Sequence, residues 1–278
     1  IDLLGDVSLS AYATNPIVGA VTMALIVLGG LGFVVWWDVL RVFKFIGKRK
    51  HPLAHLTLQS KITLTSTAVL LALGFAAFLS FEWSNPATLG GHSLFDKVQM
   101  ALFQSVTTRT AGFFTIPQEA LTTPSALVSL VLMFIGGSPG STAGGVKTTT
   151  MAVFLFSAIR LARNQETVVV FKRRIDDRIV RQAGSVVCVY LGVVLAGSFL
   201  ICALEPAGMR EVMYEVVSAI ATVGLSMNLT PTLGWLSKLI LIILMFAGRL
   251  GGLSIFMAIG ERNETTLLER PVEKILIG

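Results

Sequence analysis

Two short stretches of this chain could do chemistry with their backbone alone. Thr110-Ala111-Gly112-Phe113 and Thr222-Val223-Gly224-Leu225 each set a glycine two residues after a threonine, and they lie in phase at an offset of 112 residues. A turn of this kind can aim successive carbonyl oxygens at one axis, where they replace the hydration shell of a monovalent cation. Glycine suits such a turn because the carbonyl geometry can demand a positive φ that a residue with a Cβ resists. The chemistry needs no charged side chain, and Arg109 is the charged residue beside the turns. An anion site would instead show more basic residues or helix N-termini.

A third stretch breaks a helix. After Gly136 the chain runs Gly137, Ser138, Pro139, Gly140, Ser141, Thr142, Ala143, Gly144 and Gly145, then Val146 and Lys147. Pro139 and the clustered glycines argue against a continuous helix. A phosphate-binding loop would need Gly and Lys adjacent, but Val146 separates Gly145 from Lys147, and no strand precedes the loop. A helix broken within a membrane is tolerated only where its freed backbone meets water or protein. Such a loop below a filter could lie across a pore as a gate. Arg249 stands in an apolar segment at the matching depth, since Gly248 pairs with Gly136 at the same offset of 112. A charge there usually faces the interior with a partner. It is expected to bond carbonyls of the 137–145 loop and add a positive barrier, the alternative being an arginine that snorkels to the interface.

The elements that must hold these residues are membrane helices. The chain has 278 residues, 54% hydrophobic and 14% charged, with a mean hydropathy of +0.77. Soluble domains carry about 25% charged residues, so the composition excludes an ordinary cytoplasmic enzyme, a disordered chain or a nucleic-acid-binding domain. Apolar segments run roughly over 16–40, 62–81, 125–136, 146–159, 183–204 and 233–259. The segments 41–61, 160–181 and the tail after 260 hold 16 of the 22 basic residues. The positive-inside rule makes all three cytoplasmic. The formal net charge of +6 is read as this loop bias.

Two connections poor in basic residues, 82–124 and 205–232, then lie outside. Each holds a short helix, Ser93 to Thr108 and Met209 to Ala221, of roughly 13–16 residues, too short to span a bilayer. Position alone leaves open an amphipathic helix on the membrane surface or a re-entrant pore helix. In the second case the negative C-terminal helix end points at the pore. The repeat favours the pore helix: at the offset of 112, Met133-Phe134-Ile135-Gly136 also aligns with Met245-Phe246-Ala247-Gly248. Leu28-Gly29-Gly30-Leu31-Gly32 resembles Ala247-Gly248-Arg249-Leu250-Gly251, so 16–40 reads as the second helix of an earlier repeat. The expected fold is an all-α membrane protein of repeated helix, pore loop and helix units around one ion pore. Residues 1–50 end a second repeat, 51–165 form a third with a broken inner helix, and 166–278 form a fourth with the tail.

The remaining reactive residues are read as structural. Cys188 and Cys202 are 14 residues apart in one helix, about 21 Å, too far for a disulfide, and are expected to be core thiols. His51, His55 and His92 lack metal-ligand spacing. No cofactor is expected. The opening Ile1-Asp2 has neither Met nor a basic leader, which suggests a start within a longer chain.

Thr222-Val223-Gly224-Leu225-Ser226 resembles the potassium-channel filter pattern Thr-Val-Gly-Tyr-Gly. More fully, Ser105-Val106-Thr107-Thr108-Arg109-Thr110-Ala111-Gly112-Phe113 resembles the third filter of the Trk/Ktr/HKT potassium transporters. Ala221-Thr222-Val223-Gly224-Leu225-Ser226 resembles their fourth, and Ile1-Asp2-Leu3-Leu4-Gly5-Asp6 resembles the stretch directly after their second filter. The loops and the ending Glu273-Lys274-Ile275-Leu276-Ile277-Gly278 are most similar to the KtrB branch. The resemblance implies four covalently joined repeats around one pore, K+ and possible Na+ translocation, and an intramembrane gate at the Gly-rich loop. It further implies a homodimer in the lipid bilayer of the cell membrane and a cytoplasmic nucleotide-binding ring as partner. The C-terminus would be cytoplasmic, and no nucleic acid is expected as a partner. Two other readings stand beside it. A membrane-embedded enzyme would need paired acids, a Ser/His arrangement or metal ligands within the membrane. A non-transporting assembly subunit would not need two in-phase turns.

Overall fold

The computed structural model describes residues 8–43, 55–165 and 167–250. The opening hexapeptide, the basic residues Lys44 to Lys50, His51 and the tail from Gly251 fall outside the described residues. Helix α1, Pro16–Leu31, begins where Asn15 Oδ1 accepts from the backbone N–H groups of Ile17 and Val18, with Pro16 at its first position. It ends at Gly32, whose φ of 81° turns the chain through 97° into α2, Phe33–Phe43. The apolar run 16–40 is therefore two helices, not the one its hydropathy suggests. The cause is a tertiary wedge. The N–H of Ser138 donates to Gly30 O at 3.0 Å, and the N–H of Phe33 donates to Gly140 O at 3.2 Å. The Gly-rich loop thus occupies the break and takes up backbone groups that the bend frees.

Helix α3, Leu58–Glu82, is a full-length candidate span. Its N-cap Thr57 donates both its N–H and Oγ1 to Asp38 Oδ2, at 2.8 and 2.9 Å, which ties α2 to α3. Then come α4 (Leu94–Thr107), α5 (Thr123–Phe134) and α6 (Thr148–Ala162). Helices α7 (Asp177–Leu204), α8 (Met209–Ile220) and α9 (Trp235–Leu250) complete the order. Among the described residues α3 and α7 are long and apolar enough to cross a membrane, and the bent α1–α2 pair passes as a third span. The basic segment 160–181 is more ordered than its charge suggests. Strands β1 (Val169–Val170) and β2 (Arg173–Arg174) pair antiparallel across Phe171 and Lys172, both at positive φ. Arg160 and Arg174 both reach Asp177, each at 3.3 Å.

The second half of each short helix lies inside. Residues Gln99 to Thr107 of α4 are buried apart from Leu102, and so is α8 from Tyr214 to Ile220. Helix α4 packs on α1 and α3, and α8 packs on α5, α7 and α9. Burial of the second half of each helix favours the pore-helix reading over a helix on the membrane surface, while Leu94, Phe95, Val98 and Leu102 leave one face of α4 exposed. Ser93 caps α4 as expected, its Oγ accepting from the Asp96 N–H. The largest apolar cluster gathers around α8, with Tyr214, Val216, Val217 and Ile220 packed on Tyr190, Val194 and Ile201 of α7 and Leu241 and Leu244 of α9. The expectation for the cysteines is corrected: Cys188 and Cys202 are both exposed. Fourteen residues is close to four helical turns, so the two thiols share the outward face of α7 and leave the core to Tyr190 and Ile201.

The repeat extends to a device that the sequence alone does not announce. Glu82 ends α3 and its Oε1 accepts from the N–H and Oγ1 of Thr122, the residue that opens α5, at 2.8 and 2.7 Å. Glu205 follows α7 and its Oε1 accepts from the Gly234 N–H and Ser237 Oγ at the start of α9, both at 2.7 Å. Thr122 and Gly234 hold the same offset of 112 as the turns. In each repeat the first helix ends in a carboxylate that caps the second. The bond from Ser237, then that from Gly234, holds Glu205 below the usual glutamate range. A depressed carboxylate contributes stability above its unfolded value, lost as pH falls through the lower folded value. Thermal melts of a Glu205→Gln variant are therefore expected to show a lower melting temperature at neutral pH. They should also show a shallower acid-side loss below the ordinary value of 4.5; an unchanged acid limb would refute this.

Candidate cation filter and gate

Each short helix delivers the chain into its turn with one backbone pattern. Thr110 and Gly112 have φ of 65° and 80°, and Thr222 and Gly224 have 53° and 92°, while Ala111 and Val223 between them keep negative φ. The sign of φ thus alternates along each turn, a backbone pattern that can bring successive carbonyls to one side, as a carbonyl-lined cation site requires. A non-glycine residue at positive φ is uncommon, so its occurrence at both threonines is a shared and imposed feature.

The turns are braced from behind. In the first, the Ala111 N–H donates to Thr107 O at 3.1 Å, and Thr107 Oγ1 donates to Phe113 O. In the second, the N–H groups of Val223 and Gly224 donate to Ser218 O and Ser218 Oγ, at 2.9 and 3.1 Å. Beyond it, the buried Glu215 accepts from Ser226 Oγ, the Met227 N–H and Thr230 Oγ1. The two turns also touch: a Cβ on Gly112 would collide with the Val223 carbonyl oxygen.

A buried amide network links the turns as well. Gln104 Nε2 and Tyr214 Oη both donate to Gln118 Oε1, at 2.7 and 2.8 Å, and Gln118 Nε2 donates back to Gln104 Oε1. Neither Gln118 nor Tyr214 stands out in the sequence, because each is an ordinary residue until the fold brings them together over 96 positions.

The Gly-rich loop lies directly beneath the second turn. A Cβ at Gly144 would collide with Thr222 Oγ1 and stand 2.5 Å from Ala221 O. The ends of the loop are pinned by the Gly136 N–H to Val146 O at 3.0 Å and the Thr148 N–H to Gly137 O at 3.0 Å. Three cationic side chains each hold a carbonyl of this segment. Arg249 Nη1 donates to Thr142 O at 2.7 Å, Lys147 Nζ to Ala143 O at 2.6 Å, and Arg109 Nη2 to Gly136 O at 2.9 Å. Ser141 closes the loop on itself, its Oγ donating to Ser138 O at 2.6 Å. The sequence shows Arg109 only as a charge near the turns. Its position right after α4, within reach of the loop below, is a tertiary fact. Lys147 spends its ammonium on Ala143 O, which also removes the lysine a phosphate loop would use. Helix α9, by contrast, runs on through Gly248, the partner of Gly136, because the proline and clustered glycines of the third repeat have no counterpart there.

Among the described residues no cluster of histidine, cysteine and carboxylate suits a metal ion. The chemistry on offer is that of backbone oxygens, hydroxyls and three fixed cations.

Fold and site together define a helical membrane protein in which repeated units each present a buried short helix and a backbone turn. The chain belongs to the TrkH family of cation transport proteins, whose model matches residues 1–264. It is 35% identical over 260 residues to the Ktr system potassium uptake protein B of Bacillus subtilis, covering 94% of this chain and 57% of that protein. It is 36% identical over 284 residues to the potassium/sodium uptake protein NtpJ of Enterococcus hirae, covering 100% of this chain and 60% of that protein. The chain therefore spans less than two thirds of the length of these relatives. The crystal structure of the potassium transporter TrkH from Vibrio parahaemolyticus matches 91% of this chain and 54% of its own, with a TM-score of 0.69 at 19% identity, and supports the fold.

Proposed function

We propose that this chain forms two consecutive quarters of a pore that moves K+, and also Na+, across the cell membrane. Residues 51–165 and 166–278 each supply one turn of the filter, and residues 1–50 end a preceding unit. The observation that carries the reading is the shared backbone of the turns: a threonine at positive φ, a residue at negative φ and a glycine at positive φ, in phase and packed together. The names of the relatives, a potassium uptake protein and a potassium/sodium uptake protein, agree with it. In this reading Thr110 to Phe113 and Thr222 to Leu225 line the ion path, and the 137–145 loop with Lys147 and Arg249 forms the gate.

The cation needs no cofactor, because the backbone oxygens are themselves the ligands. The basic segment 160–181 and the tail face the cytoplasm, where the tail joins two copies and a nucleotide-binding ring docks. The full-length protein, purified and reconstituted in liposomes, is expected to take up K+ down its gradient, more slowly Na+, and to run as a dimer by light scattering before reconstitution. Liposomes that admit neither cation would overturn the proposal.

A further inference from the structure

Arg109 carries a charge that the filter reading does not use. It is 7% exposed and its side chain makes one hydrogen bond, to Gly136 O, while its Nη1 has no partner. Among the described residues no carboxylate pairs with it. A second orphan stands nearby: Thr67 of α3 is 8% exposed and its Oγ1 is also unpartnered. Both residues line one pocket of about 10 Å³, together with Ile26, Val27 and Gly30 of α1, Leu71 of α3, Val106 of α4 and Gly137 of the loop. That volume admits one water-sized species.

Two buried hydrogen-bonding groups without partners are each costly, and an uncompensated buried cation more so. A neutral occupant would satisfy Nη1 but leave the charge. The available side-chain groups are a guanidinium N–H, which only donates, and a hydroxyl, which can also donate, and the rest of the side-chain lining is apolar. We infer that this cavity binds one small monovalent anion of the halide class, held by Arg109 Nη1 and Thr67 Oγ1. The anion neutralises the guanidinium inside the protein. It thereby removes a positive field beside Thr110, the first residue of the proposed filter. That last consequence rests on the filter reading, whereas halide binding itself is read without any transport.

The test uses the purified full-length protein at fixed K+ concentration, with bromide replacing gluconate. Thermal stability is expected to rise along a saturable bromide curve, since a ligand that binds only the folded state stabilises it. Thr67→Val is expected to move the midpoint of that curve about tenfold higher, the effect of losing one hydrogen bond to a charged partner. Arg109→Gln should abolish it. Thr67→Val keeps the shape of the side chain, so it decides the matter even if the Arg109 variant fails to fold. Crystals grown in bromide should show its anomalous signal within hydrogen-bond reach of both atoms. A curve that does not saturate, a Thr67→Val midpoint equal to the parent, or density there with no anomalous signal would each overturn the proposal. Loss of K+ flux with an intact bromide curve would instead count against the filter alone.

Discussion

Gly224→Val in the full-length protein is expected to lower the apparent affinity for K+ by one to two decades while the protein still reaches the membrane. Gly224 sits at φ +92°, and a Cβ there would meet only Gly112 Cα, at an ordinary 3.7 Å. The cost is therefore one of backbone conformation. Holding a β-branched residue in such a region costs on the order of 1–3 kcal/mol. The turn relieves it by rotating a carbonyl away from the path, and each 1.4 kcal/mol is about tenfold in binding. Gly112 should be less tolerant still. Its φ of +80° carries the same strain, and its Cβ would also strike the Val223 carbonyl oxygen, so even Gly112→Ala disturbs both turns at once. The expected order of remaining K+ affinity is Gly224→Ala, then Gly224→Val, then Gly112→Ala. Concentration-dependent uptake in a host lacking its own K+ transporters reads it directly. Unchanged uptake kinetics in a well-expressed Gly224→Val variant would remove the filter assignment.

The second large effect lies in the proposed gate and has the opposite sign. Arg249→Ala removes the donor that holds Thr142 O and one of three cations under the turns. A hydrogen bond to a charged group contributes about 1.5–3 kcal/mol. If that bond holds the loop across the path, its loss should raise maximal K+ flux by roughly tenfold or more. The half-saturating concentration should stay within about twofold, because the turns proposed to bind the ion are untouched. Shortening the loop between Ser138 and Gly144 should do the same more strongly. It also removes the bonds from Ser138 to Gly30 and from Phe33 to Gly140, which satisfy the break between α1 and α2. Folding must therefore be followed by dimer state and melting temperature beside the flux. Properly assembled loop-shortened protein that carries K+ no faster than the parent would make the loop a structural wedge and place the gate elsewhere.

How much of this was legible in the sequence can be argued from particular residues. The capped start of α4 at Ser93, the existence of α3 and α7, the break at Pro139 and the phase of the two turns all obey local rules. Capping chemistry, apolar run length, proline and glycine act over a few residues, and an internal repeat aligns without any structure. The reach of Arg249 to the 137–145 loop was likewise legible, because it follows Gly248, which aligns with Gly136, and it donates to Thr142 O.

Other features depend on residues far apart in sequence. The run 16–40 is apolar apart from Thr22 and Asp38, and its glycines at 29, 30 and 32 permit a break without fixing a 97° bend; the loop from another repeat fills the gap at Gly32. The paired carboxylates Glu82 and Glu205 escape the repeat alignment because the connections after them differ in length, although the helix starts they cap stay in phase. The Gln104–Gln118–Tyr214 network, the reach of Arg109 to Gly136 and the orphaned Thr67 beside it have no local signature.

The sequence by itself determined the membrane class, the repeat, the two turns and the broken helix, because apolar length, glycine, proline and phase are properties of the chain read in order. Only the tertiary structure decided which groups share a cavity, which carbonyls the three cations hold and which helix bends. Those outcomes depend on hydrogen-bonding groups that must be satisfied wherever packing buries them, and packing joins residues that the order of the chain keeps apart.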